Sequence, residues 1–329
     1  MSRVVTVERL RKVFRLEGGE RLVAVAEASF RIDRGEVLGL IGESGSGKST
    51  VGRCLAGLLT PDGGTIAWAK QGAQVGMVFQ EPRDSVNRRF QVWEAIADPL
   101  LAHGMRRGAQ LAIKVEEAAA LVGLDRTHLL LNCDGLPEEL LQRASIARAL
   151  IREPDLLILD EPTTALDPDA RAGVLELIKR LRGNSSTAIL LISHDLLAIR
   201  SVTERVAIMY LGKIVERGPT DRLFVDPLHP YTRALMESAL ELDPSVPMAP
   251  VELTGEIPSP MDRPPGCPLE PRCPWSIDAC SDAEPPEEDY GDNHSVSCIR
   301  SGEFAADTQL LARATRPRDQ AEEPGLGGC

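Results

Sequence analysis

Short, continuous apolar runs alternate along the chain with longer stretches whose apolar positions recur at helical spacing. Residues 4–32 show brief alternations rich in β-formers, and residues 37–41 (VLGLI) form a compact apolar run that ends on a glycine-rich segment. Four more runs, at 75–79 (VGMVF), 156–159 (LLIL), 188–192 (AILLI) and 206–209 (VAIM), are too short for amphipathic helices and predict buried strands. Helical patterns fall between them at 51–59, 109–122, 138–151 and 170–181. Strands alternating with helices predict an α/β fold whose largely parallel sheet is covered on both faces.

Mostly helical sequence from about 83 to 151 predicts a helical subdomain inserted between two sheet strands. Beyond Asp226 the composition changes. DPLHPYTRALMESAL predicts one helix, Pro-rich and Cys-bearing irregular sequence follows, and the polar, glycine-containing stretch 301–329 predicts a frayed tail.

The 329 residues allow one α/β domain plus a smaller appendage, and 43% hydrophobic with 26% charged residues is an ordinary globular balance. No apolar run approaches the roughly 18 to 20 residues that cross a bilayer, and MSRVVTVERLRKVF interleaves charges where a signal peptide needs an apolar core. A membrane role is therefore expected to be peripheral. A net charge of −12 argues against a general nucleic-acid binder but permits a local anion site. Of seven cysteines, four fall between 267 and 298, a grouping that suggests metal or reactive chemistry before disulfides.

Gly42, Glu43, Ser44, Gly45, Ser46, Gly47, Lys48, Ser49 and Thr50 fit the GxxxxGK[ST] pattern between a buried strand and a helix. Glycines let successive backbone N–H groups curl around a β-phosphate, the helix N-terminus adds partial positive charge, Lys48 reaches the β and γ oxygens, and Ser49 is a hydroxyl ligand for Mg²⁺. The run LLILDE delivers Asp160 and Glu161 at the C-terminal end of a strand. Asp160 is expected to hold Mg²⁺ directly or through water, and Glu161 to activate the attacking water of ATP hydrolysis.

Several separate motifs make residues 1–240 resemble the ABC transporter ATPase family. Gln80, after VGMVF, resembles the glutamine that senses Mg²⁺ and the attacking water. Ala165, Leu166 and Asp167 resemble the loop that crosses the dimer interface, Ser193-His194-Asp195 resembles the switch-histidine motif, and Phe14 is placed like the aromatic that stacks on adenine. The resemblance implies that His194 contacts the γ-phosphate. It divides the chain into an ATP-binding domain at 1–225, an extension at 226–300 and the tail.

One departure matters. The family's Leu-Ser-Gly-Gly-Gln signature should precede the helix running into IARAL, but here Leu136, Pro137, Glu138, Glu139 and Leu140 are followed at once by Leu141, Gln142 and Arg143. The Ser-Gly-Gly-Gln is missing. In the family that loop reaches the γ-phosphate held by the opposite subunit, so the resemblance implies a heterodimer in which this chain's phosphate loop works with a partner's signature. PEELLQRASIARALI is expected to remain one helix, with Pro137 in its first turn and Glu138 and Glu139 at its positive end.

HPYTRAL (229–235), GEIPSP (255–260), GCPLEPRCP (266–274) and EAIADPL (94–100) resemble oligopeptide and dipeptide importer ATPases, a branch that includes nickel importers. That branch implies a second ATPase subunit, two membrane permeases, an extracytoplasmic binding protein and a place on the cytoplasmic face of the membrane. Cys267, Cys273, Cys280 and Cys298 suit a tetrahedral Zn²⁺ or an iron–sulfur cluster. The spacing is not that of zinc ribbons, and the resemblance implies a [4Fe-4S] cluster; Cys54, Cys133 and Cys329 read as ordinary thiols. Two further readings are a nucleotide-binding regulatory subunit with little turnover, and a non-transport ABC ATPase, which would call for tandem cassettes or a long coiled-coil insertion.

Overall fold

A computed structural model describes residues 2–164, 166–184, 186–240 and 253–304. The chain opens with β1 (Arg3–Arg15), β2 (Arg21–Asp33) and β3 (Val37–Ile41), then α1 (Lys48–Leu55), β4 (Gly63–Trp68) and β5 (Val75–Val78). A helical block follows: α2 (Pro82–Ser85), α3 (Val92–Ala102), α4 (Ala109–Leu121), α5 (Arg126–Leu129) and α6 (Glu138–Leu150). Sheet and helices then alternate through β6 (Leu156–Asp160), α7 (Pro168–Asn184), β7 (Ala188–Ser193), α8 (Leu196–Val202), β8 (Arg205–Tyr210), β9 (Lys213–Pro219), α9 (Thr220–Val225) and α10 (Pro230–Leu240). The C-terminal segment adds α11 (Ala279–Asp282), β10 (Glu288–Asp289), β11 (Ser295–Val296) and α12 (Ser301–Phe304).

The main sheet runs β4-β1-β2-β9-β8-β3-β7-β6-β5. From β8 to β5 every pairing is parallel, and those strands are the continuous apolar runs of the sequence, with β3, β6 and β7 buried on both faces and β5, at the edge, buried at alternate positions. Alternation within β6 shows it: Leu157 and Leu159 join one hydrophobic cluster, Leu156 and Ile158 the other. At the other half, β1 pairs antiparallel with β2 and β4, and β8 with β9, so the sheet is mixed rather than largely parallel. Neither β4 nor β9 stands out in the sequence. β4 is a half-exposed edge containing two glycines, and β9 carries Glu216, a buried charge that breaks the apolar pattern.

Helix α1 begins three residues before the apolar pattern predicts, because Gly47, with φ of 103°, makes the sharp entry that only glycine adopts without strain. Helix α7 starts at Pro168, where Asp167 Oδ1 accepts the amides of Asp169 (3.1 Å) and Ala170 (2.9 Å) and so caps its first turn. Helix α6 runs without interruption from Glu138, as LPEELLQRASIARAL suggests, with Pro137 as its N-cap residue.

Candidate nucleotide site

Strand order decides what meets. Because β3, β7, β6 and β5 are consecutive neighbours running in parallel, the loops after them leave the same edge side by side. Those loops carry the glycine-rich segment, His194, the Asp160/Glu161 pair and Gln80.

The glycine-rich loop is tightly seated. A Cβ on Gly42 would stand 2.1 Å from the Met209 carbonyl oxygen, and one on Gly47 would stand 2.2 Å from that of Ala24, so neither position admits another residue without backbone movement. Lys48, only 6% exposed, donates to the carbonyls of Gly42 (2.7 Å) and Glu43 (2.9 Å), with Ser46 Oγ at 3.4 Å. Burial lowers the Lys48 pKa, opposed by the carboxylates of Glu161, Asp160 and Glu43. Ser49 Oγ donates to Asp160 Oδ1 at 2.9 Å. Burial pushes the Asp160 carboxyl above its usual range, the Ser49 hydroxyl being the leading opposing influence. A buried carboxylate touching a hydroxyl, in a state that disfavours its own charge, is a donor pair that a divalent cation would relieve.

Glu161 follows at φ of 52°, in the left-handed region that non-glycine residues seldom occupy. Its amide is held by the Ile192 carbonyl at 2.9 Å. Its Oε2 accepts from Thr164 Oγ1 at 3.0 Å and stands 2.8 Å from His194 Nδ1. The His194 side chain is 63% exposed whereas that of Glu161 is 9% exposed, so one partner faces outward and the other is fixed. Ser193 Oγ accepts the Asp195 amide at 3.0 Å, and Asp195 caps α8 through Ala198 at 3.0 Å, which pins the histidine between two anchored neighbours. Gln80 is exposed, two residues beyond β5. Phe14, half-buried on β1, pairs in register with Leu22 on β2, two residues from the Ala24 that packs on Gly47. In the segment 165–167, Ala165 lies outside the described residues, Leu166 is buried and Asp167 caps α7.

Two contacts on the loop were not foreseen. The Glu43 amide donates to the Tyr231 hydroxyl (2.9 Å), and the Glu43 carboxylate takes Arg272 at 3.1 and 3.4 Å. Separations of 188 and 229 residues leave no local pattern from which to read them.

At the tip of α6, Glu138 Oε2 is paired with Arg83 Nε at 2.7 Å, and Glu139 Oε1 accepts from Arg143 Nε at 3.0 Å. The positive end of the helix is thus met by its own carboxylates.

Cys267, Cys273, Cys280 and Cys298 line one cavity together with Trp275 and Phe304. Burial pushes the Cys267 thiol up to about 11 and the Cys298 thiol up to about 12, and it raises Cys273 as well. Among the described residues, no group of three or more His, Cys, Asp or Glu side chains converges closely enough to hold a single metal ion. No helix among the described residues is long and apolar enough to cross a membrane.

A glycine-rich loop at a helix N-terminus, with two acids and a histidine on neighbouring strand ends, defines a P-loop nucleotide-binding cassette. Residues 25–164 match the family model described as ABC transporter, and residues 215–280 match that for the oligopeptide/dipeptide transporter C-terminal region. The chain is 37% identical over 298 residues to the dipeptide transport ATP-binding protein DppF of Escherichia coli, covering 85% of this chain and 88% of that one. It is 35% identical over 328 residues to the oligopeptide transport ATP-binding protein AppD of Bacillus subtilis, covering 93% and 99%. In fold it resembles a dimeric ATP-binding cassette, MJ0796, solved with ADP and Pi, with a TM-score of 0.59, 23% identity and coverage of 66% and 98%. The chain belongs to the ABC transporter ATP-binding family, in the branch that carries the oligopeptide/dipeptide C-terminal region.

Proposed function

We propose that this chain is the ATP-hydrolysing subunit of an ABC importer for oligopeptides or dipeptides, and that its own phosphate loop is completed by a second, different ATPase subunit. The observation that carries the reading is the shared edge where the Lys48 loop, the Ser49–Asp160 pair and the Glu161–His194 pair meet. Peptide as cargo rests on the relatives, which are named for dipeptide and oligopeptide transport. Two membrane permeases and an external binding protein complete the assembly, with this subunit peripheral on the cytoplasmic side.

Gly42, Glu43, Ser44, Gly45, Ser46, Gly47 and Thr50 form the cradle, their main chain donating to the β-phosphate, and Lys48 exchanges its carbonyl partners for β and γ oxygens. Phe14 carries the adenine. Ser49 and Asp160, with Gln80 as a further candidate ligand, would hold Mg²⁺, which would supply neutralisation of the phosphate charge. Glu161, fixed by Thr164, accepts the proton of the attacking water, and His194 turns from Glu161 toward the γ-phosphate. Chemistry is phosphoryl transfer to water, and Gln80 passes the change to the helical block at 83–151.

The need for a different partner follows from α6. It runs unbroken through the Leu140–Leu141 junction, where the family's serine and backbone amides for the neighbour's γ-phosphate are missing, and the paired carboxylates of Glu138 and Glu139 at its tip cannot replace those donors. ATPase assays of the purified chain and of the chain with the partner ATPase test this. Turnover confined to the mixture is expected, and robust turnover by the chain alone would end the proposal. A second reading, a regulatory subunit with little turnover, draws on the same missing signature; it predicts that a Glu161→Gln substitution here leaves the activity of the mixture unchanged.

The four cysteines fit a group held by thiolates from an irregular loop, since all four line one cavity and nearby apolar rings shield it. A [4Fe-4S] cluster held there would tie down a segment with little apolar core of its own. Iron and sulfide analysis of anaerobically purified protein is expected to find both; absence of both removes the cluster.

A further inference from the structure

The C-terminal segment returns to the phosphate loop at Glu43. One hand of this grip is Tyr231 on α10, whose hydroxyl accepts the Glu43 amide at 2.9 Å. The other is Arg272, whose Nη1 and Nη2 donate to the two carboxylate oxygens at 3.1 and 3.4 Å. Arg272 is 8% exposed, its Nη1 also meets the Tyr210 hydroxyl at 3.3 Å, and its guanidinium lies 5.8 Å from the Tyr210 ring centroid. The pair is partly shielded, the Arg272 side chain being 10% exposed and that of Glu43 27%, so solvent and salt weaken it less than a fully exposed pair.

Arg272 closes a short turn between two of the cavity-lining cysteines. The Glu270 amide donates to the Cys267 carbonyl at 3.0 Å, and the Cys273 amide donates to the Glu270 carbonyl at 3.3 Å. The same Glu43 that Arg272 grips also offers its carbonyl to Lys48 at 2.9 Å. Three groups of consequence for a triphosphate therefore meet at one residue: the loop main chain, the lysine and a carboxylate.

A carboxylate inside a phosphate-binding loop opposes the ligand it surrounds, because like charges a few ångströms apart in a partly desolvated site repel strongly. We infer that Arg272 is a positioning residue for the nucleotide: it neutralises Glu43 and turns the carboxylate toward the extension, so that the cysteine-bearing segment sets the affinity of the phosphate loop. This rests on the nucleotide reading of that loop. Removing the guanidinium frees a negative charge next to the bound phosphates, while removing guanidinium and carboxylate together frees none.

The test is a double-mutant cycle on the full chain, with the Mg·ATP dissociation constant read by calorimetry and a thermal melt recorded for each variant. Arg272→Gln is expected to weaken binding by about 5-fold or more in the otherwise native chain, and by less than about 2-fold on a Glu43→Gln background. A purely structural arginine would lower the melting temperature and weaken binding equally on both backgrounds, which overturns the inference, as does unchanged affinity in Arg272→Gln. Should that variant fail to fold, Arg272→Lys keeps the charge but not the two-pronged geometry; affinity close to the native value supports neutralisation, and a loss that persists on the Glu43→Gln background overturns it. If the native chain binds no Mg·ATP, the nucleotide reading itself falls; if it binds and the cycle shows no coupling, only this inference does.

Discussion

His194 Nδ1 stands 2.8 Å from Glu161 Oε2, joining the ends of β6 and β7 across a carboxylate whose other contact is the Thr164 hydroxyl at 3.0 Å. The pair has one fixed member and one exposed member, which suits a base held in place and a histidine free to reach a ligand. Glu161→Gln keeps the shape and a hydrogen-bond acceptor but removes the base. ATP turnover of the complex with the partner ATPase is expected to fall at least about 100-fold, while Mg·ATP affinity stays within a few-fold of the native value. Steady-state hydrolysis and equilibrium nucleotide binding on one preparation separate the two effects.

Helix α6 gives a constructive prediction. Its tip is closed by Glu138–Arg83 at 2.7 Å and Glu139–Arg143 at 3.0 Å, and the four family residues belong between Leu140 and Leu141. Inserting Ser-Gly-Gly-Gln at that junction restores backbone donors and a serine hydroxyl facing a second copy's γ-phosphate. ATP-dependent dimerisation of the lone chain, measured by light scattering on a Glu161→Gln background that prevents hydrolysis, is expected to appear with the insertion and to be absent without it.

Much of this was legible in the sequence, for definite reasons. Buried parallel strands announce themselves because both faces are apolar, so VLGLI, LLIL, AILLI and VAIM fall on β3, β6, β7 and β8. The loop at 42–50 was readable because glycine, lysine and serine each have a local duty there. What stayed hidden is held by distant partners. Strand β9 was obscured by Glu216, whose buried carboxyl is met by the Leu228 and His229 amides and His294 Nε2, contributed from outside the strand. Tyr231 and Arg272 on Glu43 were invisible for the same reason, since tertiary pairing of a polar residue leaves no periodic trace.

The cysteine cavity predicts a stability effect separate from catalysis. Cys280 is 8% exposed, its carbonyl accepts the Cys267 amide at 2.7 Å, and it helps line the cavity. Cys280→Ser replaces a thiol with a poorer ligand for iron while changing volume little. On the cluster proposed for this cavity, the expected outcome is loss of most of the iron and sulfide together with a lower melting temperature of the full chain. Iron content equal to that of the native protein would show that this thiol holds nothing.

The junction between β9 and the extension should make stability depend on pH. His229 is 1% exposed, its Nδ1 accepts the Tyr231 amide at 3.1 Å, and its own amide donates to Glu216 Oε2 at 3.0 Å. Burial lowers its pKa from 6.5 to about 4, the Glu216 carboxylate opposing and Lys213 adding to the shift. Protonation would also take away the lone pair that receives the Tyr231 amide. Between those two values the unfolded chain binds the proton and the folded chain does not, so stability is full above the unfolded pKa and declines as pH falls toward the folded one. The loss amounts to at most about 3 kcal/mol. His229→Gln cannot titrate, so it should be less stable than the native chain at about pH 7 yet lose less on acidification to about pH 5. Thermal melts of both proteins at the two pH values measure the difference, from which the titration of other groups cancels. Equal losses in the two proteins would mean that folding does not lower the His229 pKa.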